Sequence, residues 1–325
     1  MKPKQKEMMW LSIVIAFYVL TGFWGVYDIS QMSIWPIFAI PMSLFLIKTG
    51  QKEIVGLVGV VLSVVISFLS TGKFHPAVIS SFLLFILAPA FVFGILYGKK
   101  ASIPRIIIAT TVTVFLSVIL FLTFSKILGV DYLDMYFSSL DTFQNIWNDS
   151  LTNPEVQKLL PEGENVLEVY VQIMGRMVLQ AKRTYPATLF TAGLVGSTIH
   201  LLIIQLIARI SSWDRPAMKD ILNVGLSRVA AWVLIGLWMA NMQLSAADTV
   251  WTFATESMLI VLFTLFQIIG LISVIVMTMR LGAKGITRII LTIISVFWFI
   301  FNPTLLIIIG CLDSMFNFRK VKTLI

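Results

Sequence analysis

The sequence predicts an all-α fold: a polytopic transmembrane helical bundle of about ten helical segments with one extracytoplasmic amphipathic helical excursion. Three observations lead there. Apolar stretches recur along nearly the whole chain, from Trp10 to Leu312. The mean hydropathy is +0.94, and 58% of residues are hydrophobic against 12% charged. That leaves too little polar surface to coat a soluble globule, so the solvent is a bilayer. The stretches also lack the alternation of barrel strands, and a helix satisfies its own backbone groups in hydrocarbon.

A hydrocarbon core about 30 Å thick needs about 20 apolar residues per helix. The first span, residues 10–27, follows Lys2, Lys4 and Lys6, and no small-residue cleavage site succeeds it. It reads as an uncleaved first helix. Spans 32–47 and 54–69 are short, which implies tilt, local thinning or burial among neighbours. Pro36 and Pro41 interrupt the second span, and Pro89 interrupts the fourth, 76–97. Proline removes a helical hydrogen bond, and broken helices at depth commonly line a cavity. The fifth span covers 106–124, and after the excursion come 187–207, 229–244 and 253–279. The last apolar region divides at Asn302-Pro303 into a helical hairpin, 286–301 and 304–318, because proline disfavours helix at the residue before it.

Lysine and arginine positions orient the bundle, since short basic loops stay cytoplasmic. With the N-terminus inside, the inner connections hold Lys48 and Lys52, then Lys99, Lys100 and Arg105, then Arg209, Arg215, Lys219 and Arg228, then Arg280, Lys284 and Arg288. The hairpin keeps the tail with Arg319, Lys320 and Lys322 inside; a single final span would place it outside, against the rule. Both termini are therefore expected in the cytoplasm. The net charge of +8 is dispersed among loops, which suits anionic lipid head groups and not nucleic acid. Cys311, the one cysteine, excludes a disulfide within the chain.

Three regions follow: N-terminal spans in 1–128, the excursion in 129–183 and C-terminal spans in 184–325. The excursion carries eight of the sixteen acidic residues, among them Asp131, Asp134, Asp141, Asp149 and Glu168. Leu133, Tyr136, Phe137, Leu140, Phe143, Trp147 and Leu151 recur at helical spacing, as do Val166, Tyr170, Ile173, Met174 and Met177. Two amphipathic helices are expected, joined across 153–163. They form either a surface for a partner or a pair lying on the head groups, and the pattern leaves both open.

Chemistry is sparse. No His-Glu-x-x-His, Gly-x-Ser-x-Gly or phosphate-binding glycine loop is present, and His75 and His200 alone cannot build a histidine metal centre. Neither an enzyme nor a cofactor is expected. Polar residues inside the spans are the remaining pointers, because an ionisable group at bilayer depth costs about 2.5–3.5 kcal/mol and usually faces the bundle interior. They are His200, Asn241, Glu256 and Gln267, taken as candidate substrate-binding residues. The structural alternative makes the first a neutral core histidine and the two amides glue between helices, while Glu256 snorkels outward. Asp313 is expected to pair with Arg319 or Lys320 near the interface. Gly94-x-x-x-Gly98 and Ser12-x-x-x-Ala16 are small-residue pairs suited to helix packing.

Several segments carry a resemblance. Pro36-x-x-x-x-Pro41 before a Lys-Thr-Gly turn, Ala88-Pro89-Ala90 with Gly94 and Gly98-Lys99-Lys100, Tyr185-Pro186-Ala187, Gln267-x-x-Gly270-Leu271, and Gly310-x-x-Asp313 with Phe318-Arg319-Lys320 resemble the YybS-like family of bacterial membrane proteins. That family is itself uncharacterised and is more distantly similar to the S components of energy-coupling-factor transporters. The resemblance implies a helical bundle that binds a small solute and docks on a coupling membrane subunit with its ATPases, Ser12 and Ala16 standing where a first-helix docking motif would be. The chain departs from S components in having about ten segments instead of six. The alternative is an envelope scaffold or regulator that binds another envelope protein through its outer helices.

Overall fold

The computed structural model describes residues 3–23, 35–157, 166–210, 224–244 and 250–280, then 290, 294, 297, 299 and 301–319. Among them all regular structure is helical. Five helices among the described residues are long and apolar enough to cross a membrane, and Met8–Gly22, Trp35–Thr49 and Pro303–Phe316 are shorter apolar stretches.

Two compact units are present: Met1–Val118 with Ala187–Ile325, and Ile119–Pro186. In the first unit, α1 (Pro3–Phe23) packs on the helices Ile40–Thr49 and Lys52–Thr71, and its Val14 and Tyr18 are fully buried. The expected second span is not one helix. It is α2 (Trp35–Phe38), a turn at Ala39, and α3 (Ile40–Thr49), while 32–34 lie outside the described residues. Pro41 has no N–H for the carbonyl four residues back, so the helix must be re-established at Ile40. α3 ends at Gly50, whose φ of +66° accommodates the left-handed turn that returns its N–H to the Leu46 carbonyl.

α4 (Lys52–Thr71) ends the same way at Gly72. Pro76–Gly98 follows as one crossing helix with an irregular middle: α5 (Pro76–Ser81), a π-helical segment (Phe82–Leu87) and α6 (Ala88–Gly98). The Ala88 N–H reaches back five residues to the Leu83 carbonyl. This wider turn sits just ahead of Pro89, which cannot donate. α7 (Ile103–Ile127) runs from the first unit into the second, and α11 (Tyr185–Ile210) starts in the second and continues through the first. One core gathers Ile40 and Leu44 of α3, Phe93 and Tyr97 of α6, Ile103 and Ile106 of α7, and Leu201 and Ile204 of α11.

α12 (Arg228–Leu244), α13 (Val250–Arg280) and α14 (Pro303–Phe316) pack together around Ala231, Leu234, Leu259 and Phe266. At 31 residues α13 is about 46 Å long, more than the hydrocarbon core, so it tilts or projects. The expected arm 286–301 lies mostly outside the described residues. The expected arm 304–318 is helix Pro303–Phe316, about 21 Å long and too short to cross the core alone. It stops at Asn317, whose φ of 50° sends its N–H back to the Asp313 carbonyl.

In the second unit, Asp131 caps α8 (Tyr132–Leu151) by accepting the Asp134 N–H. A short helix, α9 (Pro154–Gln157), follows, and then α10 (Val166–Arg183). α8 and α10 pack antiparallel, since Asp141 pairs with Lys182 while Gln144 lies against Gly175.

Candidate functional site

The polar residues at bilayer depth are the candidate site, and the α2/α3 break dictates what the first of them does. Its carbonyls must find donors outside the regular helix. Tyr18 of α1 donates its hydroxyl to the Phe38 carbonyl at 2.6 Å. His200 of α11 lies with Nδ1 2.7 Å from the Pro36 carbonyl. A carbonyl only accepts, so Nδ1 carries the hydrogen and Nε2 is left to accept. Ser43 stands 3.0 Å from Nε2 and 3.3 Å from the Ala90 carbonyl. Its single hydroxyl hydrogen goes to the nearer nitrogen.

The ring is enclosed as well as bonded. Trp35 stacks on it at 5.9 Å between centroids and Phe93 meets it edge-on at 4.4 Å. His200 is fully buried. Trp35 and Pro36 come this close because Gly196 leaves them room: a Cβ there would lie 2.9 Å from the Trp35 nitrogen. One turn away Thr111 donates to Ser197, joining α7 to α11. Thus His200 ties α11 to two proline-interrupted helices, and both of its nitrogens are used.

The other candidates lie elsewhere. Asn241 of α12 is 3.4 Å from the Thr255 hydroxyl of α13, whose hydrogen already serves the Trp251 carbonyl at 2.9 Å. The amide is therefore best read as the donor, with its oxygen and nitrogen exchanged. Gln267 donates from Nε2 to the Phe299 carbonyl. Glu256 is half-buried and has no ion pair or hydrogen bond among the described residues. Eleven residues separate it from Gln267, so both lie on one face of α13 about 16 Å apart along the axis. None of these three is among His200's contacts. The four residues do not converge on one point.

Of the packing residues, Gly94 is buried against Leu46, where a Cβ would come within 2.9 Å, and Gly98 has nothing within 4 Å. Ser12 and Ala16 are exposed on α1, Ser12 bonding back to the Met8 carbonyl.

Two arrangements lay outside the sequence reading. Gly270 and Gly310 make a reciprocal crossing of α13 and α14. A Cβ on Gly270 would fall 1.9 Å from the Leu306 carbonyl oxygen, and one on Gly310 would fall 2.0 Å from that of Phe266. Both glycines stand in the motifs Gln267-x-x-Gly270 and Gly310-x-x-Asp313, but nothing in either motif names the other as partner. The second is an extension of the expected Asp313 pair. Arg319 Nε donates to Asp313 at 2.7 Å, with side-chain exposures of 1% and 4%, and its terminal nitrogen donates to the Val224 carbonyl. The pair thereby pins the residues before α12 to the turn after α14.

Among the described residues no group of three or more histidines, cysteines, aspartates or glutamates could hold a metal ion. What the arrangement can do chemically is fasten helices together: His200, Asn241 and Gln267 each bond to a residue outside their own helix.

The apolar helices and their internally satisfied backbones make this a helical integral membrane protein. More narrowly, residues 12–314 match the family described as "Predicted membrane protein (DUF2232)", and the chain belongs to that family. The match carries neither the narrower YybS-like label nor the likeness to S components. No curated protein and no solved structure matches the chain.

Proposed function

We propose that the chain is a membrane scaffold: the bundle is its anchor, and the two-helix unit of α8 and α10 is the surface it offers to another envelope protein. The observation that carries this reading is a contrast in how polar groups are spent. Inside the bundle His200, Asn241 and Gln267 are bonded to neighbouring helices. Solute binding needs side chains with unspent hydrogen-bonding capacity converging on a cavity; these three do not converge, and Glu256, the candidate without a hydrogen bond among the described residues, is bonded to none of them. The two-helix unit is a separately packed body with an exposed surface.

The test is mild-detergent purification of the tagged full-length protein from its native membrane, beside a variant lacking residues 131–182. Proteins recovered with the full chain, absent from the variant, and able to recover the full chain in turn when tagged themselves support the scaffold. The same partners with both chains overturn it. Recovery of an ATPase pair with a coupling membrane subunit by both chains would instead establish transport, with a thermal-shift screen for the solute as the next step.

A further inference from the structure

Two short turns at one end of the first unit carry five basic residues and one acidic residue. Lys48 and Lys52 flank the connection between α3 and α4, with Glu53 beside them, and Lys99, Lys100 and Arg105 flank the connection between α6 and α7. All six are exposed. Ser43 lies beside Ala90 and Leu46 beside Gly94, so α3 and α6 run parallel and their last turns reach the same level. Residues 99–102 alone join Pro76–Gly98 to Ile103–Ile127, two helices each long and apolar enough to cross a membrane. A connection that short between two crossing helices is held at the membrane surface.

We infer that Lys99 and Arg105 hold the phosphate of an anionic phospholipid whose acyl chain lies along α7. Three observations point there. Neither side chain has an ion pair or hydrogen bond among the described residues, and Arg105 stands in the first turn of α7, where the helix dipole disfavours a cation and no acidic residue offsets it. The counter-charge must come from outside the chain. Next, Lys100 takes a left-handed φ of 54° at the end of α6, the conformation that glycine takes at the ends of α3 and α4. A lysine is kept where glycine would be less strained. Last, Arg105 heads an apolar stripe. Ile108, Val112 and Leu116 follow it at spacings of three, four and four, so they share its face of α7, and all three are exposed. From Arg105 to Leu116 is about 16 Å along the axis, close to half of a hydrocarbon core about 30 Å thick. Free phosphate or an acidic peptide would meet the charges and leave the stripe bare. A phospholipid meets both, its head at the turn and its chain down the helix.

Orienting a membrane chain needs only basic loops; a fitted lipid requires more, namely retention of one headgroup class at these two residues. The inference is independent of the scaffold reading, which concerns α8 and α10. Native mass spectrometry of the full chain tests it. The protein is reconstituted in nanodiscs of phosphatidylethanolamine and phosphatidylglycerol in equal amounts and released into mild detergent, and the lipid still bound is identified. The wild-type chain should retain phosphatidylglycerol severalfold over phosphatidylethanolamine. Lys99→Gln with Arg105→Gln should abolish that preference, whereas Lys99→Arg with Arg105→Lys should keep it. Lys73→Gln with Lys126→Gln removes the same charge elsewhere and should leave it unchanged. Equal retention of the two lipids by the wild-type chain overturns the inference, as does a preference that survives Lys99→Gln with Arg105→Gln or is lost equally in the control. Glycerol 3-phosphate in excess should not displace the lipid; displacement would make the site one for a soluble phosphate and overturn the assignment to lipid. If the paired glutamine variant lowers the unfolding midpoint, the two single variants are read in its place.

Discussion

At the residue scale, His200 illustrates how a polar group in a membrane helix becomes structural. Its identity and depth are legible in the sequence. Its main partner is not, because the Pro36 carbonyl is a backbone group 164 residues away, freed by a helix break. His200→Phe keeps the ring but removes both nitrogens, leaving that carbonyl without its donor while the Ser43 hydroxyl turns to the Ala90 carbonyl. A loss of about 1–3 kcal/mol is expected, seen as a lower unfolding midpoint in detergent. An unchanged midpoint would remove His200 from the core. Asp313 is a sterner case. Its pairing with Arg319 follows from opposite charge at short sequence distance, but the third member, the Val224 carbonyl, lies outside what spacing predicts. Asp313→Asn takes the counter-charge from a buried guanidinium and should cost about 3–5 kcal/mol, while replacing both partners by leucine should recover much of the loss. Thermal unfolding of the two variants side by side decides it.

At the element scale, proline and glycine set the architecture. Pro41 was readable as a break and Pro89 as an irregularity, since the missing N–H is a property of the residue itself. The α13–α14 crossing was not readable, because each glycine is ordinary alone and only their opposition matters. Gly270→Ala or Gly310→Ala places a methyl group on a carbonyl oxygen and must push the helices apart, for an expected cost of about 1–3 kcal/mol. Gly98→Ala, with nothing within 4 Å, should be neutral and serves as the control. The amphipathic excursion was the most legible element, since apolar residues at a period near 3.6 need no partner to be recognised. Its first turn also carries a pH dependence. The Asp134 N–H first, and Lys126 second, hold the Asp131 carboxyl below its usual range. A depressed carboxylate stabilises the cap above its unfolded value, about 3.9, and loses that support as pH falls through the folded value. Amide exchange in the first turn of α8 should thus quicken below about pH 4 beyond the intrinsic pH trend, and Asp131→Asn should abolish that excess.

At the scale of the whole molecule, the bilayer and the helical class were fixed by composition, because no soluble surface can be made from these residues. The placement of function was not. Polar residues at depth drew attention to the bundle, yet those that are bonded prove to be spent on other helices and carbonyls, a distinction that depends on geometry and not on residue type. The two-helix unit of α8 and α10 offers the exposed surface that the account assigns to a partner.

A photo-crosslinking side chain placed in turn at Asp149, Phe143 and Gln267 of the full-length protein in native membranes tests this division most directly. The account predicts a discrete protein adduct from Asp149 or Phe143, and from Gln267 only adducts within the chain. A small-solute adduct from Gln267, with none to protein from Asp149, would contradict it and return the function to the bundle interior.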